Sequence, residues 1–361
     1  MLVTLGQFSA QFAAASALAV LLALDPLAAV ADWAVWLVDE AFGGVLHEVG
    51  YRWLGLAPLR FEFFQRSVLA AAFAAVLGPL VGTFLVNREL AMVGDTLAHT
   101  AFAGVAAGLF VNATLPVTVS PTATALVVAC VTALVLETLL DRADVNADVA
   151  LALLLTGGFA LGSVLVTLTD GGISVGIDAH LFGSLATVST DDVLLLAGMC
   201  VLVGGAVAAA YRPLTYVAFD PVGARAARVP VARYERLLTV LTAVVVVGAM
   251  RVMGVILVAA LLVVPVATAS HAARTSRGSL FAGVAFAEVA ALLGVFAAYR
   301  FGTAAGGSIV LVAIAVFVAV LAAGRVRATW LGRARRRGAG DAVGAGEDRV
   351  AADAEGIDRD D

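Results

Sequence analysis

A carboxylate and an imidazole one helical turn apart are the residues in this sequence best placed to do chemistry. Asp95 and His99 stand in Gly94-Asp95-Thr96-Leu97-Ala98-His99. Their i, i+4 spacing puts both side chains on one helix face, where they can meet on a single cation. The pair opens a long apolar run, Met92 to Asn112, and ionisable groups carried into hydrocarbon are costly and usually face an interior pathway. One carboxylate with one imidazole suits a divalent transition ion such as zinc or manganese. A second reading needs no metal: Asp95 accepts backbone N–H groups as a helix N-terminal cap, and His99 is a satisfied buried polar residue. Spacing alone leaves both open, because Asp-x-x-x-His is short and common.

Other polar residues offer less. Glu288 lies in the middle of the run Leu280 to Ala298, and a carboxylate at that depth is a functional hypothesis by default, here a candidate pathway residue. His180, Asp191 and Asp192 belong to an acidic loop, Asp170 to Asp192, which either meets an incoming ion or is surface structure. Cys130 and Cys200 both sit inside apolar runs and read as small fillers rather than a disulfide or thiolate site. No Ser/His or His-Glu-x-x-His constellation occurs, so the chain is not expected to be an enzyme. All 22 basic residues are arginine. Without lysine there is no Walker A loop and no Schiff-base lysine, so any ATP used must be bound by another chain.

The elements that position these residues follow from composition. Of 361 residues, 62% are hydrophobic and 14% charged, against about 25% charged in soluble domains. This is a membrane protein. A spanning helix needs about 20 apolar residues, and runs near that length fall at Phe8 to Val30, Ser67 to Val86, Met92 to Asn112, Thr122 to Leu140, Asp148 to Leu168, Val193 to Ala210, Leu237 to Met250, Val252 to Ser270, Leu280 to Ala298 and Ala305 to Gly324. The fold class is therefore all-α, a polytopic integral membrane protein of about ten spans, with the seventh short. Pro265 is expected to kink or end its helix, and Gly104 with Gly108 forms a small-xxx-small packing pair. No arginine precedes Arg52, so the first run lacks a signal-peptide n-region and is expected to be retained. Residues 31–60 mix Trp33, Trp36, Tyr51 and Trp53 with charges and read as interfacial structure.

Strict alternation with the N-terminus inside puts Arg88, Arg142, Arg212, Arg225, Arg228, Arg233, Arg236, Arg274, Arg277, Arg325 and Arg327 on the cytoplasmic side. Arg52, Arg60, Arg66, Arg251 and Arg300 fall outside with the acidic loop. Both termini are then cytoplasmic. Residues 325–361 form a basic, then acidic tail that cannot bury a core; its basic start would lie against lipid headgroups, and its acid accounts for much of the net charge of −5.

Four blocks in order carry a resemblance. Phe64-Gln65-Arg66 through Gly82, Asn87-Arg88-Glu89-Leu90-Ala91-Met92-Val93 into the Asp95/His99 element, and Gly104 form the first. His180-Leu181-Phe182-Gly183-Ser184-Leu185 with Asp191 and Asp192 forms the second, and Asp220-Pro221 through Val229 the third. Arg251-Val252-Met253-Gly254-Val255-Ile256-Leu257-Val258 with Pro265-Val266-Ala267-Thr268-Ala269 is the fourth. Together they resemble the membrane subunits of zinc/manganese-type ABC importers over about Phe61 to Gly324, leaving residues 1–60 and 325–361 outside.

That resemblance implies a type II ABC importer-like permease domain working as a homodimer, with the pathway on the two-fold axis and no permanently bound cofactor. It makes Asp95 and His99 the ligands of transported Zn²⁺ or Mn²⁺, with the Gly94 to His99 element tilting the expectation to zinc. It also makes Asp220, Pro221, Gly223, Ala224, Arg225 and Arg228 a segment docking on a separate ATPase subunit; the alternative is an ordinary positive-inside loop. An extracytoplasmic metal-binding protein would deliver the ion to the acidic face, the subunit sits in the cell membrane, and nucleic acid has no place. The rival functions are a vitamin B12 or iron-siderophore importer subunit and an ion-coupled secondary transporter. Because Asp95 lies near the cytoplasmic end of its run, the site needs either a deep inward dip or a later start to the helix.

Overall fold

The computed structural model describes residues 35–53, 56–142, 146–169, 183 and 187–326. The apolar run Phe8 to Val30, His180 and the tail beyond Val326 lie outside the described residues. Every regular element among those described is helical. A first helical stretch, α1 (35–53), is wound largely as π-helix. A short 3-10 turn at Ala57–Arg60 leads into α2 (Glu62–Asn87). There follow α3 (Val93–Thr114), α4 (Pro121–Arg142), α5 (Ala147–Thr167), α6 (Thr190–Phe219), the short α7 (Pro221–Ala226), α8 (Val231–Met253), α9 (Val255–Ala272), α10 (Ser276–Phe301) and α11 (Ala305–Val326). Nine of these, all but α1 and α7, are long and apolar enough to cross a membrane.

Each apolar run from Ser67 onward is a helix, but two expectations need correction. The seventh run is not short: α8 has 23 residues. Its first turns hold Arg233, Glu235 and Arg236, charges that end a hydropathy run; the helix continues through them, with Glu235 paired to Arg88 and Arg236 to Glu137. Residues 211–219 are likewise not loop but the end of α6, which runs 30 residues and carries Pro213 inside it. Of the two alternatives for Pro265, ending the helix is not the one observed, since α9 continues to Ala272.

Ion pairs and close contacts test the alternation of the spans, because each must join groups on the same side. Arg88 pairs with Glu235, and Arg236 with Glu137, on the arginine-rich side. On the other side Arg66 pairs with Asp39 and Arg251 with Asp192. Gly183, with φ 77°, also packs there against the Met253–Gly254 turn, so two of the sequence blocks meet. None crosses from one side to the other. Glu137, near the end of α4, takes two hydrogen bonds from Arg236 at 2.9 and 3.0 Å.

α2, α3 and α8 form the interior, with 72%, 61% and 61% of their apolar windows buried against 17% for α5 and 11% for α11. α8 and α9 bridge α2 and α3, while α5 and α4 cover the rest of α3. Small residues set these approaches. Gly104 and Gly108 pack on Ala125 and Thr124 of α4, as the spacing predicts, and Gly158 and Gly162 of α5 pack on Thr100 and Phe102. The tightest approach is at Gly82, where an added Cβ would lie 2.0 Å from the carbonyl oxygen of Leu262 in α9. Backbone cannot yield as a side-chain tip can, so Gly82→Ala should destabilise by at least the ~1–3 kcal/mol of ordinary overpacking. Gly205→Ala, where nothing lies within 4 Å, should leave the melting temperature in detergent unchanged or raise it. Equal melting of the two variants would contradict the packing.

Candidate functional site

Asp95 lies in the first turn of α3, which opens at Val93 with Met92 as its N-cap. The helix therefore starts before the aspartate, not after it, and the site sits at the arginine-rich end of α3. Asp95 caps nothing: its partner is His99, whose Nε2 lies 3.4 Å from Asp95 Oδ1. That separation has a chemical reading. Two ligand atoms each about 2.1 Å from one ion and roughly 109° apart are separated by about 3.4 Å, the edge of a tetrahedral site. Both side chains are partly exposed, so an ion has access.

The imidazole is held by packing rather than by a hydrogen bond. Phe159 of α5 meets it edge-on, with ring centroids 5.4 Å apart, and Phe159 in turn stacks on Phe102 at 5.7 Å. The other ring nitrogen, Nδ1, is buried and has no hydrogen-bond partner among the described residues. Phe159 is the site residue that sequence reasoning missed. One phenylalanine inside an apolar run carries no marker of its distant partner; the nearby Gly157-Gly158 pair is the only local hint of a close helix approach.

Among the described residues no cluster of three or more His, Cys, Asp or Glu side chains could hold a metal ion. One copy thus brings together two candidate ligands, where a closed zinc site takes four. The remaining candidates are not brought to this place. Glu288 is half-buried near the middle of α10, which packs chiefly on α2 and α9. Among the described residues it has no hydrogen-bond or ion-pair partner. Asp191 is exposed in the first turn of α6. Asp192 is engaged structurally: it completes a capping box with Ser189 and faces Arg251 at 3.5 Å. The spacing Ser189-x-x-Asp192 resembles the known capping-box signature.

The segment after α6 has its own construction. Asp220 Oδ1 accepts from the Gly223 backbone N–H at 2.7 Å and Pro221 occupies the first turn, so α7 is capped as its sequence requires. Ala224 is fully buried in a small separate core with Val217 and Val231. Val222 and Phe219 are exposed, at 73% and 60%, with Arg225 and Arg228 beside them. An ordinary basic loop would not need apolar side chains held outward by a capped, anchored helix.

The family model described as "ABC 3 transport family" matches residues 60–324. The manganese transport system membrane protein MntC of Halalkalibacterium halodurans is 31% identical over 261 residues, covering 72% of this chain and 86% of that protein. The probable iron transport system membrane protein of Haemophilus influenzae is 27% identical, covering 77% and 99%. Among solved structures, PsaBC from Streptococcus pneumoniae in complex with Fab superposes with a TM-score of 0.64 at 28% identity, over 72% of this chain and 91% of that one.

Proposed function

Because this chain belongs to the ABC 3 transport family and is a multi-pass membrane subunit of a metal-transporting ABC system, we propose that it forms the ion pathway of an ATP-driven importer. The cargo is a divalent transition metal, manganese ahead of zinc or iron, bound by Asp95 and His99. The observation that carries this is the 3.4 Å Asp95–His99 pair at the end of a buried helix. Residues 61–324 are the permease domain, as the family match supports, and residues 1–60 and 325–361 are additions to it.

Two ligands per copy support a homodimer, since a second Asp/His pair across a two-fold axis brings the number to four. The sequence alone tilts to zinc, but relatives named for manganese and iron transport weigh against a zinc-only assignment. The donors are oxygen and nitrogen without sulfur, which suits manganese as well as zinc. α7 docks on a separate ATPase subunit in the cytoplasm, and an extracytoplasmic metal-binding protein delivers the ion to the face carrying Asp191. His180 is placed on that same face by sequence. Glu288 is a pathway candidate at mid-depth. The arginine count supports cytoplasmic termini and a cell-membrane location.

The test is uptake of radioactive manganese by the whole transporter in vesicles. Accumulation should require ATP and the ATPase subunit, and should be inhibited by zinc at lower concentration than by unlabelled manganese, because zinc binds any such site more tightly. Uptake driven by membrane potential without the ATPase would favour a secondary transporter. Transport of a corrinoid or siderophore with no metal uptake would favour the second rival.

A further inference from the structure

A chain of ion pairs runs along the arginine-rich side, outside both the metal pair and the docking helix. Arg88, the residue after α2, pairs with Glu235 in α8, and both side chains are largely buried. The next residue, Arg236, holds Glu137 near the end of α4. The start of α8 is thus tied to the ends of α2 and α4. Between them lies a cavity of about 130 Å³ lined by Arg88, Glu137, Glu235 and Thr239, by Arg225 from α7 and by Val93, the first residue of α3. The docking helix, the start of α8 and the base of the metal-ligand helix therefore meet around one small space.

The connections on either side of the pair are stiff. α7 is clamped to α8 by the Val217–Ala224–Val231 core and by the Val229 N–H, which donates to Ala224 O at 2.9 Å. A displacement of α7 thus reaches Val231, one helical turn before Glu235. On the far side Arg88 begins a tight turn with Glu89 at φ 60°. Its N–H groups at Arg88, Glu89, Leu90 and Val93 are all bonded to backbone carbonyls between Leu85 and Leu90. Asp95 follows two residues later.

We propose that Arg88 and Glu235 are positioning residues that carry movement of the docking helix to the Asp95/His99 end of α3. This rests on the docking and metal-site readings above. A largely buried ion pair is a poor way to gain stability, since apolar replacements of similar volume often do as well. It is a good way to fix the register of two elements that must move together, because each charge loses its ion partner when the other shifts.

The test uses the complete complex in vesicles, reading metal delivered per ATP hydrolysed. Arg88→Glu and Glu235→Arg should each lower that ratio about tenfold or more, within the 5–150-fold range of ordinary coupling energies. The combined charge swap should recover most of it. Since either single variant may also misfold, the deciding variant is Arg88→Met with Glu235→Leu, which strands no charge. It should keep its melting temperature and its ATPase and still be uncoupled. Wild-type coupling in that apolar pair, or a folded charge-swap variant that recovers nothing, would overturn the relay. Failure of the readings beneath it looks different: the wild-type complex itself would then move no metal or retain no ATPase.

Discussion

Replacing His99 with alanine, or Asp95 with alanine, should abolish metal uptake and leave the assembled complex intact. The size of the loss follows from how few ligands there are. Removing even an outer-sphere partner of a metal ligand costs 10–100-fold in affinity, so removing one of two ligands per copy should lower uptake by roughly 100-fold or more. Stability should not fall with it. Both side chains are partly exposed and face each other at 3.4 Å, and His99→Ala removes a buried nitrogen that has no partner among the described residues. Asp95→Asn separates charge from shape: it keeps the volume and loses the anionic donor, and should be nearly as inactive as Asp95→Ala. Phe159→Ala removes only the ring that holds the imidazole edge-on and should weaken metal affinity while sparing maximal rate. Undiminished uptake by both alanine variants, in complexes that still contain the ATPase, sinks the site assignment.

How much of this was legible in the sequence differs between the spans and the site. Spans depend on local composition, and the apolar runs located them. Their ends depend on distant partners. Glu235 and Arg236 look like loop residues until Arg88 and Glu137, about a hundred or more positions away, are seen to neutralise them. Within the site, the i, i+4 spacing announced Asp95 and His99, but not whether the aspartate was a cap. That choice turned on a helix start three residues earlier, at Met92, which hydropathy cannot fix to better than a turn. Asp192 was legible only as a pair of alternatives, meeting an ion or surface structure. An acidic side chain in an acidic loop invited a functional reading, whereas the Ser189 capping box already gave it work. Phe159 was invisible, because aromatic residues in apolar runs gain meaning only from what they touch.

Asp220→Ala should uncouple ATP hydrolysis from transport, and Asp220→Asn should not. α7 has six residues, far below the length at which a helix holds itself together in water. It persists through its cap, the proline at its start and the anchoring of Ala224. Loss of an N-cap costs about 1 kcal/mol, enough to unwind an element this marginal, whereas asparagine caps as well as aspartate. The pair therefore distinguishes a formed docking helix from a loop whose arginines alone matter, since both variants keep Arg225 and Arg228. Val222→Asp probes the contact itself. Val222 is 73% exposed on the anchored helix. A charge there, seated in an apolar pocket of the ATPase, should weaken association by the ~2 kcal/mol typical of an interface hot spot, roughly 30-fold. It should do so without altering metal binding by the isolated permease. In the Asp220→Ala complex, ATPase should be retained in part, with its activity no longer responding to the metal-loaded binding protein. Normal co-purification and normal metal-stimulated hydrolysis in both Asp220→Ala and Val222→Asp would return this segment to an ordinary positive-inside loop. If α7 acts on the Asp95 end of α3 through Glu235 and Arg88, Asp220→Ala combined with the apolar Arg88/Glu235 pair should be no worse than either alone, the non-additivity expected of residues acting in one series.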